Sequence, residues 1–208
     1  MIIIANKKCK PETLLKKYGA DAVIADVTSH ATNQLVQLSP FYPHGGIPIP
    51  FSEGHTAMSV EGIWQGLKVF ESAGVDYEMF RNATMKSIKR TVRRFGRPLG
   101  HQKGLNSAEL LSYIEARKLI YIPSYRWVLE NKVQHIIARL RLATQTKTII
   151  LLDYNTNEDL DDPTKPLSHA ALVKAYVEGK YPFEDQNASS LALENKPMTK
   201  QLTLDLDI

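Results

Sequence analysis

Ser59-Val60-Glu61-Gly62-Ile63-Trp64-Gln65-Gly66-Leu67-Lys68-Val69-Phe70 reads as the body of a helix that begins at an N-cap serine and runs to about residue 72. Glu61 falls in its first turn, where backbone N–H groups lack partners and an acid is favoured on structural grounds alone. On that helix Glu61, Trp64, Gln65 and Lys68 lie at i, i+3, i+4 and i+7, which is a single stripe. A core wants such a stripe apolar, yet this one holds a carboxylate, an indole, an amide and an amine. Burying those groups costs free energy unless they are paired or used on a ligand. The helix is therefore expected to wall a site.

The chain on either side supports the same centre of interest. Before the helix lies a long loop, residues 37–56, rich in proline and glycine, which contains Ser39-Pro40-Phe41-Tyr42-Pro43-His44-Gly45-Gly46. Loops of that length inside a compact domain tend to be functional or disordered. After it, residues 81–97 carry Arg81, Lys86, Lys89, Arg90, Arg93, Arg94 and Arg97 with no acid among them. They read as a basic amphipathic helix. Without interleaved acids no local i, i+4 pairs relieve the repulsion, whereas a pyrophosphate or a nucleic-acid backbone would. A solvated basic face is the plain alternative.

Further out, the pattern predicts strands over residues 2–5, 22–28 and 146–153, the last a buried strand ending in Asp153 and Tyr154. Helices are predicted over residues 11–18, 59–72, 81–97, 106–121 (interrupted by Pro123), 124–143 and 166–178. In the helix over 124–143, Trp127, Leu129, Val133, Ile136, Ile137 and Leu140 are expected to face inward. The sum is an α+β, predominantly α-helical single domain over residues 1–182, with a few short strands and a flexible tail over 183–208.

At 208 residues and 43% hydrophobic the chain can bury one sizeable core. A net charge of +4 does not by itself announce a nucleic-acid binder. The single cysteine, Cys9, has no internal disulfide partner and is expected to be buried. The apolar start, residues 2–5, is too short for a signal or a span, so a soluble, reduced, cytoplasmic protein is expected, without a membrane partner. Six histidines occur, none at metal-ligand spacing, and neither a metal nor a cofactor is expected.

The run Ser39-Pro40-Phe41-Tyr42-Pro43, the Val60, Glu61, Gln65, Lys68 and Phe70 pattern and Phe95-Gly96-Arg97 together resemble the NADAR family of N-glycosidases. The chain departs from that family at Gly62, where a larger residue is common. It departs again around residues 159–163, where a tryptophan–glycine element is replaced by Asp159-Leu160-Asp161-Asp162-Pro163. The resemblance implies a compact α-rich fold and cleavage of a ribose-to-base N-glycosidic bond. The substrate class would be a ribosylamino-pyrimidine nucleotide or ADP-ribose attached to guanine in nucleic acid.

Such cleavage passes through an oxocarbenium-like centre that wants a carboxylate beside it. Glu61 is the candidate for that role and Lys68 for nucleophile or binder. Phe41, Tyr42, His44, Trp64 and Gln65 are the candidate pocket residues. Arg90, Arg94 and Arg97 are the candidate phosphate contacts, with Asp162 and His169 as contributors from the second half. Residues 81–97 are the candidate DNA or RNA contact. The alternative is a non-catalytic module that binds ADP-ribose or nucleic acid. Gln201-Leu202-Thr203-Leu204-Asp205-Leu206 resembles peptides that dock on bacterial sliding clamps.

Overall fold

Strand-forming, β-branched segments at both ends of the chain meet in one sheet. The computed structural model describes residues 1–182. Its order is β1 (Ile2–Asn6), α1 (Pro11–Tyr18), β2 (Val23–Asp26), a 3₁₀ turn (Gln34–Leu38), β3 (Ile47–Pro48), β4 (Thr56–Ala57), α2 (Val60–Leu67) and β5 (Lys68–Phe70). There follow α3 (Tyr77–Arg81), α4 (Val92–Phe95), β6 (Pro98–Gln102), β7 (Leu110–Leu111), α5 (Tyr113–Ala116), a π-helical turn (Arg117–Tyr121), α6 (Ile122–Asn131), α7 (Gln134–Ala143), β8 (Ile149–Asp153) and α8 (His169–Val177). The molecule is a compact α+β single domain, as expected. No helix among the described residues is long and apolar enough to cross a membrane. The predicted tail and its clamp-like peptide lie outside the described residues.

β8 enters last in sequence but sits in the middle of a three-stranded parallel sheet of order β1-β8-β2. Ile2 and Val23 both pair with Ile149, and Asn6 pairs with Asp153. Every residue of β8 is buried, because alternate side chains serve two apolar layers. Ile150 and Leu152 pack with Leu14 of α1, while Ile149 and Leu151 face the main core with Val128, Ile136 and Leu172. The C-terminal ends of all three strands therefore open on one side, the side where parallel sheets present ligand contacts. Leu129, Val133, Ile136, Ile137 and Leu140 are buried as expected, and Trp127 packs half-buried against the same core.

Several predicted boundaries change. Residues 81–97 do not form one helix: only α3 and α4 are helical, with irregular chain between them. Met85 and Ser87 there have φ of 58° and 54°, which no helix tolerates. Residues 106–112 are not helical, with only Leu110–Leu111 in a strand, and the helix begins at a capping box in which Ser112 and Glu115 satisfy each other's backbone N–H groups. Pro123 does not end that helix. It falls in the first turn of α6, after the wider π turn that accommodates its missing N–H. The expected helix over 124–143 is broken between α6 and α7, because the Asn131 and Gln134 side-chain amides donate to the Trp127 and Leu129 carbonyls, both at 2.8 Å. Cys9 lies in an exposed turn instead of the core.

α2 is the element that positions the site. The Ser59 hydroxyl accepts from Gly62 N at 3.0 Å and starts the helix. Its rear face is Gly62 and Gly66. A Cβ on Gly62 would lie 2.6 Å from the Met79 carbonyl oxygen, and one on Gly66 would lie 2.2 Å from the Phe80 ring. The two glycines thus let α3 approach closely, which accounts for the small residue at position 62. The helix ends at Leu67, one residue before Lys68, which opens β5.

Candidate functional site

At the open edge of the parallel sheet is a cavity of about 500 Å³, reached by the loop after the 3₁₀ turn, by α2, by the π turn and by the start of α8. Of the residues picked from the sequence, Phe41, Glu61, Trp64, Gln65, Lys68 and His169 line it together. Glu61 is buried, 8% exposed. Its backbone N–H donates to the Pro40 carbonyl at 2.8 Å, which pins the loop to the helix. Gln65 Nε2 donates to Glu61 Oε1 at 2.9 Å, while Gln65 Oε1 accepts from Arg90 N at 3.0 Å. The glutamine is thereby oriented by the backbone behind it and in turn orients the carboxylate. Burial raises the Glu61 carboxyl above its ordinary value, and the Gln65 bond and the charges of Lys89, Lys68 and His169 only partly oppose it.

Lys68 is half-buried, and burial lowers its ammonium below the ordinary lysine value although Glu61 pulls the other way. Its Nζ stands 5.2 Å from the Phe70 ring centroid. Lys89 likewise sits over Phe41 at 5.4 Å. Neither ammonium has an ion-pair or hydrogen-bond partner among the described residues. Two unpaired cations beside one buried carboxylate suit an anionic ligand.

The rest of the wall includes residues that the pattern alone did not single out. Trp64 stacks on His101 with centroids 3.8 Å apart and meets Tyr113 and Tyr121 edge-on at 5.7 Å each. His101 is 2% exposed, and its ring nitrogens have no hydrogen-bond partner. Burial, aided by the charge of Lys68, drops it to about 3, so it stands as a neutral ring behind the indole. Arg117, also 2% exposed, donates to the carbonyls of Asp159 (3.2 Å), Leu160 (2.7 Å), Asp162 (2.9 Å) and Lys165 (2.8 Å). One guanidinium therefore holds the whole segment that leads to Pro166 and Leu167 on the cavity wall. Within a stretch read only as part of a helix over 106–121, Arg117 carries no local signal of such a role.

At the sheet edge, His169 Nδ1 lies 2.9 Å from Asp153 Oδ2 and its Nε2 lies 2.8 Å from the Val27 carbonyl. Both ring nitrogens face oxygen acceptors, so only the doubly protonated ring donates to both. Ser168 Oγ donates to the same Asp153 oxygen at 2.7 Å. Burial would push the Asp153 carboxyl up, but the bonds from His169 and Ser168 hold it below the usual carboxylate range. Thr28, Ser29 and Asn155 add hydroxyl and amide groups to the cavity wall.

Other candidates stand elsewhere. Arg90 is a structural clamp: Nη1 donates to the Gln65 carbonyl (3.1 Å) and to that of Lys68, and Nη2 donates to Gly74 at 2.7 Å. Its guanidinium lies 5.0 Å from both the Phe70 and Phe95 rings, so it caps the end of α2 and is not free for a phosphate. Arg97 pairs with Glu71 at 3.4 Å, and Arg94 lies over Phe95, both off the cavity wall. His44 turns away to the Gln37 carbonyl at 2.8 Å, with Tyr42 beside it at 4.7 Å. Asp162 faces Thr164, and only its carbonyl serves the site, through Arg117. Among the described residues no three His, Cys, Asp or Glu side chains are grouped as metal ligands.

A model of a family of unknown function, DUF6939, matches residues 6–173. The chain belongs to this family. The DUF6939 match spans every residue on the cavity wall, from Thr28 to His169. No curated protein and no solved structure matches the chain.

Proposed function

We propose that this DUF6939 chain is an N-glycosidase that hydrolyses the bond between a ribose and a base, with ADP-ribose on guanine or a related ribosylated nucleotide as substrate. One observation carries the reading. A buried carboxylate, aimed by Gln65, shares a nucleotide-sized cavity with two unpaired lysines and an aromatic wall. The resemblance of the α2 stripe to the NADAR family points the same way.

In this mechanism the base leaves the anomeric carbon with the bonding electron pair, and a water oxygen forms the new bond to that carbon. Glu61 gives a proton to the leaving base nitrogen and recovers one from the attacking water, so that the products are free base and a ribose hydroxyl. A carboxyl raised toward neutrality is suited to passing a proton in both directions. Phe41 and Trp64 flank the base or sugar, Lys68 and Lys89 take the phosphate, and Ser29 and Asn155 meet sugar hydroxyls.

Incubation with ADP-ribosylated guanosine DNA, and separately with a ribosylamino-pyrimidine phosphate, tests this when products are read by mass spectrometry. Release of base or ADP-ribose by wild type but not by Glu61→Gln supports a glycosidase. Retained ADP-ribose binding without turnover of either substrate would replace it with the binding-module reading.

A further inference from the structure

A second cavity of about 330 Å³ adjoins the first and shares Lys68 and Tyr113 with it. Its remaining wall is Pro98, Leu99, Gly100, His101 and Pro163. The partition between the two is a pair of rings: Trp64 faces the first cavity, and His101, stacked on it at 3.8 Å, borders the second. Lys68 stands at the junction with its ammonium unpaired among the described residues. The segment clasped by Arg117 also serves both sides, giving Pro163 to one and Pro166 and Leu167 to the other. One clamp thus sets the shape of both chambers.

We propose that the second cavity is a subsite for an aromatic ring joined through phosphate to the ribose held in the first. The proposal rests on the reading of the first cavity as a ribose site. An unpaired cation between two chambers calls for an anion in the middle of the ligand, not at its end. Beyond that anion the walls offer a tyrosine ring, two prolines, a leucine and a neutral imidazole, none of which carries charge. A flat heterocycle matches those surfaces by stacking and apolar contact, whereas a second phosphate would find no cation there. The ring arrives by either of two linkages, a pyrophosphate as in an ADP-ribosyl group or a phosphodiester as in the neighbouring nucleotide of an oligonucleotide.

Calorimetric titration of the full chain with ribose 5-phosphate, ADP-ribose and a dinucleoside monophosphate tests this without requiring turnover. Leu99→Trp, at a position 48% exposed and outside the first cavity, fills the second chamber. The expected result is that at least one ring-bearing ligand binds about ten-fold or more tighter than ribose 5-phosphate. Leu99→Trp removes that advantage while leaving ribose 5-phosphate binding unchanged. Which ring-bearing ligand gains names the linkage. Equal affinities for all three ligands, an advantage that survives Leu99→Trp, or no binding of any ligand would each overturn the subsite. Because binding alone is read, an absence of base release would sink the glycosidase reading and leave this result standing.

Discussion

Glu61 is held in a place where its charge is disfavoured, and that has consequences for activity and stability. Glu61→Gln keeps the shape and the hydrogen-bonding reach of the side chain but removes the proton-transfer group. Base release should fall by about 10²- to 10⁴-fold. Stability should move the other way. The folded-state pKa is raised above 4.5, so the protonated form favours the fold, and wild type loses that stability as pH climbs through the raised value. Denaturant melts across that range should show Glu61→Gln gaining on wild type as pH rises. A constant gap would mean that the carboxyl is not desolvated. Lys68 is the complementary case, since burial lowers it and makes the free amine more available near neutrality. If it attacks the anomeric carbon, the opened ribose forms an imine, and borohydride during turnover should leave a ribosyl adduct on the peptide containing Lys68. Turnover with no adduct would assign Lys68 to phosphate binding alone.

The helix α2 shows how much one element can say and where it stops. Its N-cap and the Glu61, Trp64 and Gln65 stripe were legible, because periodicity and capping are local properties, whereas Phe41 was picked through the family resemblance and Lys68 falls on β5, past the helix end. What lies behind it was not. Gly62 and Gly66 read in sequence as weak helix formers, and only the close approach of α3, which leaves a Cβ 2.6 Å from the Met79 carbonyl at Gly62 and 2.2 Å from the Phe80 ring at Gly66, explains them. Gly62→Ala should therefore destabilise the fold by about 1–3 kcal/mol, by pressing a methyl on a backbone carbonyl that cannot move like a side chain. A denaturant midpoint equal to wild type would show that α3 yields. The basic segment misled for a related reason: its charges looked alike in sequence, yet Arg90 is buried, with Nη1 and Nη2 donating to the carbonyls of Gln65, Lys68 and Gly74 and Nε 3.8 Å from the Asp76 carboxylate. Arg90→Lys loses the planar fork and should cost about 2–4 kcal/mol. Arg93→Lys, on the exposed face, should cost under about 0.5 kcal/mol. Equal unfolding midpoints for the two variants would contradict the clamp.

Across the whole molecule the cavity depends on pairings between distant parts of the chain. The three strands were legible as apolar, β-branched runs, and Asp153 was visible at a strand end. That β8 inserts between β1 and β2 was not, because strand order is a matter of partners and not of pattern. Nor could spacing reveal that His169, at the start of α8, bridges Asp153 on β8 and the Val27 carbonyl just past β2. This bridge ties the sheet to α8 at the cavity wall, so its loss should be felt globally. Asp153→Asn removes the carboxylate that faces the His169 N–H and the Ser168 hydroxyl, and should cost about 3 kcal/mol. The sign of its pH dependence is opposite to that of Glu61. The folded Asp153 carboxyl lies below 3.8, so its contribution is fully present above the unfolded value and is lost as pH falls through the folded one. Thermal melts should find wild type well ahead of Asp153→Asn at pH 7 and the gap closing only below about pH 4. A gap already closed at pH 5 to 6 would show that the bonds from His169 and Ser168 do not hold the Asp153 carboxyl below its ordinary value.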